Sequence, residues 1–415
     1  MYPGSRAGAA VRAAVDRKSH WRHRMKYLLT NKYHTVLIAL LVVLSILILS
    51  ESRVFSDTLA DAIAKTPLGT EKGMISPDAE KGFLGIPGAP DVNLLGGFLW
   101  AIWVGWIFST VGAFGGIMAG VGHITIFGLG DYAKSFKQTN PTLNTMITDS
   151  IRVSNQWLVS LSALISSINY YKMGRLVLPL GIALAAGSVT GSILVPIITA
   201  GKIKLSAYIG YFGLCVFVIG GFLFYETTGK GQSKKKGARA AAKAFEDAHI
   251  KLKNREKVDT IQHGVKIIHW SLSRVRFTFY GVEFSFNPIF PVTGGLFIAA
   301  LASFLGIGGG FLFVPFLTSI AGLPMFLVAG TSALTVLVGM IVSIFSFMAI
   351  KGVVVYWPLI GVELFGIFVG SMVGPRTSKY IPDIWLKRLF VVLAMYVGIR
   401  YTSKGFFGHS IVPPF

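Results

Sequence analysis

Residues 172–196 read KMGRLVLPLGIALAAGSVTGSILVP, and residues 351–375 read KGVVVYWPLIGVELFGIFVGSMVGP. Both fit K-x6-P-x7-G-x3-G-S-x3-P without a gap. Lys172, Pro179, Gly187, Gly191, Ser192 and Pro196 recur as Lys351, Pro358, Gly366, Gly370, Ser371 and Pro375. Both copies lie in strongly apolar sequence. A duplicated apolar unit interrupted by Gly and Pro is the pattern expected of a membrane transporter built from two related halves.

The rest of the composition agrees. The 415 residues are 53% hydrophobic and only 14% charged, against about 25% charged in an ordinary soluble domain. Mean hydropathy is +0.63. The apolar residues come in runs of about 18 or more, long enough to cross a bilayer as helices. The formal net charge is +21, yet the basic residues cluster before residue 33 and between 230 and 276, at the flanks of apolar segments. That placement reads as a cytoplasmic topology signal and attraction to anionic lipid, not as a nucleic-acid surface. The single cysteine, Cys215, excludes a disulfide within the chain.

Outward from the repeat, the chain divides into a basic cytoplasmic tail (1–33), an N-terminal transmembrane anchor (34–51) and a mildly acidic extracytoplasmic loop (52–93). A first transmembrane repeat (94–225), a basic cytoplasmic insert (226–288), a second repeat (289–403) and a short tail (404–415) follow. The long basic stretch before the anchor favours an uncleaved helix over a signal peptide. Within the insert, 229–237 reads as a linker and 238–257 as a surface helix. The expected fold is an all-α polytopic membrane protein in the cell inner membrane, N-terminus cytoplasmic. It has two inverted repeats of about five segments with glycine-broken helices, plus the anchor. An odd number of segments per half reverses the second half relative to the first. The glycine-broken pieces 113–130 and 308–322 are either full crossings or re-entrant half-spans.

The second half opens with LGIGGGFLFVPFL (305–317). Gly308, Gly309 and Gly310 either form an anion-binding nest of N–H groups or allow close helix packing. Gly115 and Gly116 in GAFGG (112–116) are the thinner counterpart. PMFLVAGTS (324–332) matches PTLNTMITD (141–149), so Thr331 and Ser332 align with Thr148 and Asp149. These polar pairs either bond back to their own helix or face a substrate oxygen. The run GxGGGxxxVPxL, then P-x6-TS, then G-x3-G-S, resembles the sulfite exporter TauE/SafE family, also called the 4-toluene sulfonate uptake permease group, over about 94–225 and 289–402. The resemblance implies passage of small anions, sulfite or organosulfonates, without ATP. The first half departs from the pattern: Asp149 replaces the serine and 131–147 is longer.

Ionisable residues inside apolar segments are functional candidates because burying a charge there is costly. Arg152 offers bidentate donors to a sulfonate, or pairs with Asp149 at i,i+3. Asn155 or its neighbour Gln156 faces the interior. Glu363, mid-segment in LIGVELFGI, is a candidate carrier of a coupling proton or a structural hydrogen-bond partner. His123 is a proton relay or a satisfied interior histidine. The substrate-binding candidates are therefore Gly308, Gly309, Gly310, Thr331, Ser332, Thr148, Asp149, Arg152, Asn155, Gly115 and Gly116; the proton-coupling candidates are Glu363 and His123. The chain carries no H-E-x-x-H, C-x-x-C, G-x-S-x-G or P-loop pattern, so no enzyme, metal or cofactor is expected. The partners are a small anion, the lipid bilayer and a coupling proton or cation, with no oligomeric state implied. A secondary exporter working by alternating access is the first reading; a membrane scaffold or assembly protein and an anion channel are the alternatives.

Overall fold

The computed structural model describes residues 53–199, 209–228, 236–253, 264–305, 310–350 and 352–412. The tail 1–33, the anchor expected at 34–51 and most of the linker 229–237 lie outside the described residues. The chain divides into two compact units, Met1–Ser56 and Asp57–Phe415. The second unit holds the helical bundle and the insert.

Helix α1 (Arg53–Ala64) leads into an irregular stretch, then α2 (Leu94–Val111), α3 (Gly115–Val121) with a π-helical turn at Gly122–Ile126, α4 (Leu129–Ser135), α5 (Pro141–Lys172), α6 (Leu178–Thr199) and α7 (Ile209–Thr227). The insert carries α8 (Lys236–Lys253) and strands β1 (Lys266–Trp270), β2 (Val275–Phe279) and β3 (Val282–Phe286). Then come α9 (Ile289–Leu305), α10 (Gly310–Pro315) with a π turn at Phe316–Ile320, α11 (Met325–Phe345) with a π turn at Ser346–Ile350, α12 (Trp357–Ser378) and α13 (Asp383–Phe407). Among the described residues, three helices are long and apolar enough to cross a membrane: Leu94–Val111, Met325–Ala349 and Trp357–Ser378.

The expectation of an all-α chain needs correction, because the chain is mostly helical and the insert also holds a three-stranded antiparallel sheet in the order β1-β2-β3. VRFTF and VEFSF alternate apolar and polar residues, the period of a half-buried strand. Tyr280 and Gly281 join them with φ of 50° and 78°, the two-residue turn whose twist suits a hairpin. Val275, Phe277 and Phe279 point from β2 into the core, where Phe279 meets Phe245 of α8 at 5.9 Å between ring centroids.

The repeated glycines set the helix packing. On α12, a Cβ at Gly366 would strike Phe98 O of α2, and one at Gly370 would strike Ile102 O. On α6, Gly187 meets Val292 O of α9 and Gly191 meets Leu296 O in the same way. Close backbone contact of this kind is how small residues hold helices together in lipid, where water supplies no driving force. So α2 packs on α12, α9 on α6, α5 on α11 and α7 on α13.

The stretch before α2 is folded, not loose. Leu59, Ile75, Phe83 and Ile86 form a core with Leu129, Phe136, Leu143, Ile147 and Leu359. Asn140 Nδ2 donates to Ala62 O (2.9 Å) and Thr139 Oγ1 to Gly73 O (2.7 Å).

Candidate functional site

The expected broken segment at 113–130 is two short helices, α3 and α4, with a π turn after the first. Before α3 the chain turns through Gly112–Phe114, where Phe114 adopts φ 67°, a left-handed conformation that costs about 1 kcal/mol or more in a bulky residue. The ring of Phe114 lies 6.0 Å from Phe311 of α10 and 4.8 Å from Phe390 of α13. The two short helices, one from each half, therefore meet through aromatic rings.

One hydroxyl of the pair on α11 holds the first break. Ser332 Oγ donates to Gly112 O at 3.0 Å. Thr331 Oγ1 donates to Leu327 O at 2.8 Å and accepts from Val177 N, just before α6, at 3.2 Å. Gly115 is buried and Gly116 half-buried at the start of α3, and Gly310 opens α10. Gly308 and Gly309 lie outside the described residues. The first-half counterparts sit differently. Thr148 is exposed two turns into α5 and donates to Asn144 O (2.8 Å). Asp149 and Arg152 pair at 3.3 Å, with the Arg152 side chain 40% exposed and set over the Phe347 ring. Among the described residues, the hydrogen bonds of these three side chains stay within α5. Helix α5 has 32 residues and is about 48 Å long at 1.5 Å per residue, beyond the ~30 Å hydrocarbon core.

The two proton candidates, by contrast, come together. His123 lies in the π turn after α3, where the widened helix aims the ring inward. Its Nε2 is 2.8 Å from Glu363 Oε2 on α12, and its Nδ1 is 2.6 Å from Asn155 Oδ1 on α5. Both charged side chains are almost fully enclosed. With the amide oxygen facing Nδ1, that nitrogen carries a hydrogen, so one proton remains for the Nε2–Oε2 contact. It sits on the imidazole, giving an ion pair, or on the carboxyl, giving a neutral pair. Glu363 Oε1 has no hydrogen-bond partner among the described residues and lies beside Gly97 of α2. Buried hydroxyls line the same long helix. Ser150, Ser154, Ser166 and Ser167 of α5 have no partner among the described residues, while Ser162 bonds Ser371 of α12 at 2.7 Å.

Sequence reasoning missed Arg175. It stands between α5 and α6 and is 2% exposed. Nε donates to Phe326 O (3.2 Å), and Nη1 to Pro375 O (3.4 Å) and Ser378 Oγ (3.3 Å). The rings of Tyr170, Phe245 and Phe326 lie 4.7, 5.1 and 5.2 Å from its Cζ. Each such ring contributes about 0.5–2 kcal/mol toward a desolvated cation, against a burial cost of several kcal/mol. Among the described residues no carboxylate pairs with it. The signal available was its place inside the duplicated motif, in KMGRLVLP; a basic residue flanking an apolar run reads first as a topology marker.

The family model described as Sulfite exporter TauE/SafE matches residues 97–401. Comparison with curated proteins and with solved structures gives no match.

Proposed function

Because the chain belongs to the sulfite exporter TauE/SafE family, we propose that it is a secondary transporter exporting small anions of the sulfite or organosulfonate class by alternating access. The observation that carries this reading is the meeting of the two interrupted helices, α3 and α10, at Phe114 and Phe311, with Ser332 tied to the first break. Interrupted helices leave main-chain donors inside the bilayer only where protein or a wet cavity receives them, and such ends are where transporters hold ions. The cargo would bind between the halves near the midplane, at Gly115, Gly116, Gly308, Gly309, Gly310, Thr331 and Ser332. Thr148, Asp149, Arg152 and Asn155 on α5 complete the proposed set, with the Asp149–Arg152 pair opening as cargo enters.

The reciprocal contacts of Gly366 and Gly370 with α2, and of Gly187 and Gly191 with α9, support two inverted five-segment repeats that rock against each other. In this reading the protein sits in the cell inner membrane with its N-terminus and insert cytoplasmic and 52–93 outside. A membrane potential negative inside drives a monovalent anion outward by about 2.3 kcal/mol per 100 mV, so export needs no second ion. Where a proton is coupled, the His123–Glu363 pair carries it. Sulfite counterflow in proteoliposomes tests the function: saturable uptake accelerated by sulfite on the opposite side is expected. Unsaturable flux would indicate a channel, and no flux a scaffold.

A further inference from the structure

We propose that Arg175 is an anion-binding site at the end of the bundle that carries the insert, and that helix α8 is its lid. The proposal rests on the anion-transport reading above and adds to it a second station for the cargo.

A guanidinium has five N–H donors. Three are used by neutral acceptors, at Phe326 O, Pro375 O and Ser378 Oγ. Both donors on Nη2 are unused, although the atom is buried. A structural arginine of this depth ordinarily faces a carboxylate, because an uncompensated buried charge is costly. Here, among the described residues, it faces rings instead. The ionisable neighbours that act on it add no carboxylate: Tyr170 and Tyr280 are phenols. Glu246, one residue along from Phe245, turns away and accepts from Asp383 N at 2.9 Å. Unused guanidinium donors suit a sulfur oxyanion, which accepts from adjacent N–H groups at once.

The cover is fastened at one large ring and, on its other side, by the Glu246–Asp383 hydrogen bond. The buried face of α8 is Ala238, Ala241, Ala242, Phe245 and Ala248. All but Phe245 are alanines, so that ring is the one large anchor among the described residues of the helix. It lies over the guanidinium at 5.1 Å and against Phe326 at 4.2 Å. It also touches Phe279 and Tyr280 of the hairpin. With Phe245 withdrawn, Arg175 keeps its three carbonyl and hydroxyl bonds and presents Nη2 to an incoming oxyanion, while Ser378 Oγ stays donated to Pro375 O.

The test uses the full chain purified in detergent, with sulfite affinity measured by calorimetry and sulfite counterflow in proteoliposomes. Phe245→Ala is expected to tighten sulfite binding at least fivefold, since the lid no longer competes. Adding Arg175→Lys to that variant, which keeps the charge but removes the fork, is expected to weaken binding at least tenfold relative to Phe245→Ala alone. A purely structural arginine predicts no gain from Phe245→Ala. Affinity unchanged within twofold or weakened in Phe245→Ala, or retained in the double variant, with counterflow intact, overturns the Arg175 site and leaves the transport reading standing. Absence of counterflow in the unaltered chain overturns the transport reading instead.

Discussion

Glu363 and His123 meet at 2.8 Å although 240 positions separate them in sequence. The contact joins α12 of the second half to the π turn of the first, and Asn155 of α5 fixes the ring from its other side. One proton serves this contact, and either group can own it. Under the proposed alternating access, a bond of this kind would tie the protonation of the pair to which side of the protein is open.

Glu363→Gln keeps a hydrogen bond to the imidazole but removes the carboxyl group. Counterflow rates measured across pH should become flat in this variant if a proton is coupled there, with its thermal midpoint close to that of the unaltered protein. His123→Ala strips the carboxyl of its buried partner and should destabilise by about 3–5 kcal/mol, read as a lowered midpoint in detergent.

Gly370 on α12 rests against Ile102 O. Gly370→Ala should therefore force α2 and α12 apart and cost about 1–3 kcal/mol. Gly191→Ala should do the same to α6 and α9. Thermal unfolding of both variants checks the reciprocity; a loss at one site only would show that the two seams are not equivalent.

Ser332→Ala removes the hydroxyl that holds Gly112 O. The expected loss is about 0.5–1.5 kcal/mol of stability with a larger fall in counterflow, because the break before α3 loses its anchor on α11.

His249 on α8 is half-buried, with Nδ1 3.0 Å from Phe245 O. Burial, with Arg175 and Lys379 nearby, holds its pKa below the ordinary value of 6.5. A depressed value means that docking of α8 is favoured above 6.5 and loses that support as pH falls through the lower, docked-state value. Backbone amides of α8 should accordingly exchange faster, after correction for the intrinsic rate, at about pH 5.5 than at about pH 7.5, and His249→Gln should remove the difference. Glu246, raised by burial, acts in the opposite sense: its support is full below 4.5 and lost as pH rises through its docked-state value.

Much of the helical plan was legible because the repeat carries its own punctuation. Gly187, Gly191, Gly366 and Gly370 fall where backbones touch, and Pro141 opens α5 at the position a helix start allows. The insert's sheet was not legible: each strand has five residues, and the charges of Arg276 and Glu283 hide a two-residue period in a stretch read as part of a basic insert. Glu363 and His123 were each visible as costly residues, but their pairing depends on a π turn that nothing in GVGHITIF announces. Arg175 looked like a flank because the sequence does not show that α8 folds back over it.

The crossed pairing of α2 with α12 and of α6 with α9 bears on how the molecule is made. When synthesis reaches the insert, α2 and α6 are both made but α9 and α12, their glycine-seam partners, are not. The α2–α12 seam cannot close until synthesis has passed Ser378, so it is the later of the two glycine seams to form.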